Sequence, residues 1–167
     1  MSPPDRPTPP NSLLRHQARQ GAFTDAYARQ VPRTVSLAEF VEAFYTTRLF
    51  RFELALIALL GKPSTAAMVR AVATGGGRRL AVWTAEARTA DELLMRDDSG
   101  ATCSWFKVES AAGGQTLLWF GSAIQPRRRG ADGQLRFSLG FHALLGFHRR
   151  YSRALLRAAV RRLEMAC

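Results

Sequence analysis

GFHALLGFHRRYSRALLRAAVRRL, residues 140–163, separates into two faces when its side chains are placed about 100° apart. Phe141, Leu144, Leu145, His148, Ser152, Leu155, Ala159 and Leu163 share one face, with Tyr151 on its edge. Arg149, Arg150, Arg153, Arg157 and Arg161 fall on the other, and Arg162 lies nearer the apolar side. A helix over about 138–164 with this pattern covers an apolar surface and turns its arginines to solvent.

The surface to be covered lies upstream. Four runs, LAVWTAEA (80–87), DELLMRD (91–97), ATCSWFKVE (101–109) and TLLWFGSAI (116–124), read as strands separated by turn residues, among them Asp97 to Gly100 and Ala112 to Gly114. They predict an antiparallel meander. FTDAYARQV (23–31) alternates loosely and stops at Pro32, which predicts an earlier strand.

Helical signals fill the interval between the first strand and the meander. Ser36 and Glu39 have capping-box spacing, and Leu37, Phe40, Val41 and Phe44 then share a face, predicting a helix over about 37–45. In TTRLFRFELALIALLGKPS (46–64), Leu49, Phe52, Leu56 and Leu59 or Leu60 recur at helical spacing before Gly61 and Pro63 end the run. This stretch is too apolar to face solvent all round. Ser64 is placed to cap a third short helix carrying Met68, Val69 and Val72, closed by TGGG at 74–77.

Strand, short helices, four strands and a long helix give an α+β chain. The predicted fold is a helix-grip arrangement: a twisted antiparallel sheet of five or six strands wrapped on the long C-terminal helix. The length of 167 residues suits one domain, placed at 21–167, and the proline-rich start, with five prolines in its first twelve residues, reads as a disordered leader over 1–20. That start has no apolar core of a signal peptide, and no run reaches the ~20 apolar residues of a membrane span, so the expected location is the cytoplasm. Cys103 and Cys167 form no disulfide framework and no metal spacing, and both read as free thiols.

The net charge of +11 raises the question of polyanion binding. Of the 24 basic residues only Lys62 and Lys107 are lysine, a skew that arginine-favouring codon usage produces without phosphate contacts. Ten arginines fall in 126–167 against Asp132 and Glu164. On the long helix Arg150, Arg153 and Arg157 are the polyanion candidates, weighed against a solvated helix back.

Metal binding is excluded on spacing. His142 and His148 are six apart and point about 120° from each other, whereas two ligands on one helix need three or four. No cofactor fingerprint, phosphate loop or nucleophile elbow is present. His148, mid-way along the apolar face, requires a partner, either as a structural histidine or as a polar contact for something held in the core. Trp83, Trp105 and Trp119 lie one on each of three neighbouring strands and are candidate core filling or candidate cavity walls. Apolar residues occupy both strand parities, Leu118 and Phe120 against Leu117 and Trp119, so the cavity-facing set stays open. Glu86, Arg88 and Asp91 flank the first hairpin, as an ion-pair network or as a source of a general base.

SLAEFVEAFYTT, AVWTAEARTADELLM, SWFKVE, WFGSAI and ALLGFHRRYSRALL together resemble an uncharacterised bacterial family, a domain of unknown function, over about residues 21–163. The ending GFHRRYSRALL also resembles polyketide-cyclase-like and START-like domains. The positions that match are Tyr45, Thr46, Thr47, Trp83, Glu86, Arg88, Asp91, Ser104, Trp105, His148, Arg149, Tyr151 and Ser152. The resemblance implies a helix-grip fold with an internal cavity for small, mostly apolar ligands, in a superfamily of carriers, cyclases, hydrolases and regulators.

Three functions follow as expectations. The first is binding of a small apolar or aromatic molecule, with His148, Tyr151, Tyr45 and Glu86 as polar contacts and Trp83, Trp105 and Trp119 as walls. A cyclase or hydratase using the same cavity, with His148 or Glu86 as base, is the second. The third is an interaction module on the arginine face.

Overall fold

The computed structural model describes residues 7–126, 128–129, 135–136 and 139–165, with side chains described over 7–126 and 145–165. Cys167, Asp132 and the side chains of Phe141, His142 and Leu144 lie outside what is described. In chain order the elements are α1 (Leu13–Arg19), β1 (Phe23–Val31), α2 (Leu37–Tyr45), α3 (Arg48–Leu59) and α4 (Ala66–Thr74). β2 (Arg79–Leu80), β3 (Trp83–Arg88), β4 (Glu92–Asp97), β5 (Thr102–Ala111) and β6 (Gln115–Ile124) follow, then β7 (Arg128–Arg129), β8 (Leu135–Arg136) and α5 (Leu139–Met165). The segment before α5, expected as a plain loop, carries the paired strands β7 and β8.

Six strands form one antiparallel sheet in the order β1-β6-β5-β4-β3-β2. The meander follows the turn signals except that the first expected strand, 80–87, is split by a tight turn at Ala81 and Val82 into β2 and β3, and β1 closes the sheet by pairing with β6 along its whole length. Helix α5 lies across the sheet's inner face with α2 beside it, so the arrangement is the helix-grip expected. Local chemistry sets the helix starts. Ser36 and Glu39 form the capping box at α2, and Thr47 caps α3 by accepting from the Phe50 N–H. Helix α4 is capped by Thr65 instead of Ser64, and Gly75, at φ 84°, ends it in the left-handed conformation that glycine takes without strain.

Register decides what each face holds. Tyr27, Phe120, Phe106 and Leu93 stand in one row across β1, β6, β5 and β4, facing the helices. The neighbouring row, Ala26, Gly121, Trp105 and Leu94, faces the other way. Phe44 of α2 drops onto the first row, with ring centroids 4.8 Å from Phe106 and 4.5 Å from Phe120. Phe40, Tyr45 and Phe50 extend this aromatic core, so α2 fills much of the space that α5 alone would leave open.

The outer face is covered too, and by a segment expected to be disordered. Residues 13–19 of the proline-rich leader form α1, whose Leu14 is buried against Trp105, Trp119 and Ala123. Gln17 is buried beside it and holds three partners: it donates to Glu86 Oε1 at 3.2 Å and accepts from Arg96 Nη2 at 3.1 Å and Gln125 Nε2 at 2.9 Å. Gly121 provides the clearance, since a Cβ there would lie 2.6 Å from Leu14 Cδ2 and 2.6 Å from the Asp25 carbonyl oxygen.

Candidate ligand cavity

Strands β3, β5 and β6, helices α2 and α3 and two turns of α5 line a partly open cavity of about 170 Å³. Phe44, Phe50, Trp83, Phe120 and Leu155 give it apolar walls, and Glu53, Ser122, His148, Tyr151 and Ser152 line it with polar groups. Asp25 and Ser122 pair across β1 and β6, and Ser122 pairs with Ser104 across β6 and β5, so all three belong to one inward-facing row. Helix α5 brings His148 onto that row. Its Nε2 is 2.6 Å from Ser122 Oγ, which donates to Asp25 Oδ1 at 2.5 Å, while Tyr27 Oη donates to Asp25 Oδ2 at 2.8 Å.

The order of these groups determines their chemistry. In a nucleophilic triad the imidazole sits between carboxylate and hydroxyl and takes the hydroxyl's proton. Here the hydroxyl sits in the middle. With the Ser122 proton given to Asp25, His148 Nε2 must be the protonated nitrogen to satisfy Ser122 Oγ, and Nε2 also lies 3.7 Å from Asp25 Oδ2. The chain orients His148 with its Nε2 toward Ser122, and it does not activate serine for attack. The His148 side chain keeps 28% exposure against 2% for Asp25, so the ring is the accessible end of a buried network.

A second polar pair reaches the same cavity from α3. Tyr151 Oη donates to Glu53 Oε2. Burial pushes the Glu53 carboxyl above the ordinary glutamate range, and the Tyr151 hydrogen bond only partly offsets this. Burial and the adjoining Glu53 raise the Tyr151 hydroxyl as well. Phe147, one turn before Tyr151, stacks on its ring at 5.9 Å.

Of the residues singled out from the sequence, His148, Tyr151 and Trp83 meet here. Trp105 and Trp119 do not. They stand on the outer face beneath α1, where Trp105 Nε1 donates to Glu92 Oε2 at 2.7 Å and Trp119 Nε1 to Glu109 Oε2 at 3.0 Å. Glu86 is also on that side. Arg96 pairs with it and holds its carboxyl below the ordinary range, which fits an ion pair and not a cavity base. Tyr45 lies in the aromatic core, its hydroxyl buried without a hydrogen-bond partner among the described residues and its pKa raised by that burial. It borders a different cleft, between α3, α4 and the end of α5.

The arginine candidates separate as well. Arg150 is exposed, but Arg153 and Arg157 are half-buried, and two arginines lie on β1 rings, the Arg153 guanidinium 4.9 Å from the Tyr27 ring centroid and that of Arg149 5.7 Å from Phe23. The helix back is thus only in part the solvated face expected. Among the described residues no group of three or more His, Cys, Asp or Glu side chains is placed to hold a metal ion, and no helix is long and apolar enough to cross a membrane. Buried Cys103 has its thiol pushed up to about 11 by desolvation.

Sequence reading missed Asp25, Ser122 and Glu53. Asp25 and Ser122 are buried polar residues at inward strand positions, and Glu53 is the one carboxylate in α3, signals that gain meaning only once the strand parity is known. Compared with known proteins, the chain matches no family model, no curated protein and no solved structure.

Proposed function

We propose that the chain binds a small aromatic or apolar molecule carrying one hydrogen-bonding group, in the cavity between the sheet and α5. The observation that carries this reading is the convergence on one cavity of five apolar walls and two independent polar networks, Asp25–Ser122–His148 and Glu53–Tyr151. Size limits the guest. An apolar cavity of about 150 Å³ accepts benzene, whereas drug-sized ligands occupy about 300–1,000 Å³. At about 170 Å³ the space suits a single ring. The resemblance to START-like and polyketide-cyclase-like domains points the same way.

A second reading, proton transfer on such a guest, is favoured by one feature: Glu53 is raised by burial and faces the same cavity as a pre-oriented imidazole. In this reading Glu53 replaces Glu86 as the carboxylate partner of His148.

The test is equilibrium binding of single-ring compounds, phenol, benzoate and toluene, to the wild-type chain and to His148→Leu. The reading expects phenol or benzoate to bind, and His148→Leu to weaken binding about tenfold, the loss of one hydrogen bond, while the unfolding midpoint holds. Loss of stability with unchanged binding returns His148 to a structural role.

A further inference from the structure

The face of α3 that the sequence offers as its buried stripe is the one turned outward. Phe52 is 65% exposed, Leu56 50%, Leu59 83% and Leu60 81%, while Phe50 and Leu54 on the opposite side enter the core. Phe52, Leu56 and Leu59 of the 12-residue helix, with Leu60 at its C-cap, recur at helical spacing and form one apolar stripe. Phe147 of α5 is also exposed, at 68%, on the helix that α3 meets through Glu53 and Tyr151. Single exposed apolar residues need no explanation, but a continuous helical stripe does.

Cations border this stripe. Arg48 and Arg51 are exposed on α3 itself, and neither has a carboxylate partner among the described residues. On the flank of α3 that bears Ala55 and Ala58, a cleft of about 490 Å³ is lined by Arg51, by Arg162 from α5, and by the Ser64 and Thr65 hydroxyls. The helix is far too short to cross a bilayer, and its mixture of outward leucines with flanking arginines matches a helix lying in the headgroup region.

We infer that α3 docks the protein on an anionic phospholipid surface, its leucine stripe entering the acyl boundary and Arg48, Arg51 and Arg162 meeting the phosphates. Charge selects this occupant over a second copy. A two-fold interface through α3 brings together two chains that each carry +11, whereas an anionic leaflet neutralises the arginines beside the stripe. This surface is distinct from the cavity and from the β1-facing arginines of α5, and the inference does not depend on either.

The experiment is co-sedimentation of the full chain with phosphatidylcholine vesicles, with and without phosphatidylglycerol, at low and high salt. Sedimentation is expected only with phosphatidylglycerol, and it should fall as salt rises. Leu56→Ser with Leu59→Ser should weaken partitioning on the order of tenfold, as should Arg48→Gln with Arg51→Gln, with circular dichroism unchanged because all four residues are exposed. No sedimentation with either vesicle overturns the inference. So does binding that survives the leucine changes and is lost in Arg150→Gln, which assigns it to α5. A concentration-dependent dimer abolished by the leucine changes, without vesicle binding, assigns the stripe to a second copy and overturns it equally.

Discussion

His148 Nε2 and Asp25 Oδ2 lie 3.7 Å apart, and the Ser122 hydroxyl joins the two residues with contacts of 2.6 and 2.5 Å. Asp25 is nearly inaccessible, so its carboxylate depends on the Ser122 and Tyr27 hydroxyls for hydrogen bonds. Ser122→Ala removes one donor from a buried acceptor and should cost about 1–3 kcal/mol in urea unfolding. Ser122→Thr keeps the hydroxyl and should recover most of that loss. Equal midpoints for wild type and Ser122→Ala would show that the network contributes nothing to folding.

The Glu53 carboxyl gives a pH signature of defined sign. Its folded-state pKa is raised above the ordinary 4.5, so the folded chain holds this proton more tightly than the unfolded one. Its contribution to stability therefore grows as pH falls from the raised value and is complete below 4.5. Measured against Glu53→Gln, wild-type stability should rise as pH is lowered from neutrality towards 4.5. Tyr151→Phe removes a hydrogen bond that favours the charged form, and should move this rise to higher pH. A difference between wild type and Glu53→Gln that stays flat over that window contradicts the burial of this carboxyl.

Helix α1 is held by one buried leucine and one buried glutamine. Leu14→Ala should destabilise by about 2–5 kcal/mol, the usual range for a core leucine, if α1 folds with the sheet. Gly121→Ala tests the same contact from below, because the added methyl meets Leu14 and the β1 backbone. In both variants trypsin should cut at Arg15 and Arg19 faster than in wild type, as α1 lifts from the sheet. Unchanged cleavage would mean that α1 is not seated there.

Arginines that share a sequence pattern have different roles along α5. Arg153→Ala removes a cation from the Tyr27 ring face together with half-buried stem packing, and should cost about 0.5–2 kcal/mol. Arg150→Ala, at an exposed position, should change the unfolding midpoint by less than about 0.5 kcal/mol. Equal effects of the two substitutions would remove the distinction between edge-strand and solvent arginines.

Element order was legible because its signals are local: Ser36 with Glu39 for α2, the glycine turns of the meander, and the two-faced pattern of α5. The facing of the sheet was not legible, and the reason is physical. Trp105 and Trp119 alternate with Phe106 and Phe120, and both sets are buried because α1 covers the outer face as α2 and α5 cover the inner. A sheet buried on both sides carries no polar parity to break the tie. Helix α1 itself has seven residues with two leucines, too little periodicity to emerge from a proline-rich context. The α3 stripe misleads for the opposite reason, since its most regular apolar spacing belongs to the exposed face.

Whether the space between the sheet and α5 holds a small guest can be read from a native mass spectrum of the freshly purified chain, taken beside its denaturing spectrum. Occupancy of the cavity gives an added mass of single-ring size that disappears on unfolding and is reduced in His148→Leu, or that appears on adding phenol or benzoate. A chain that shows one mass in both spectra and takes up none of these compounds would contradict it.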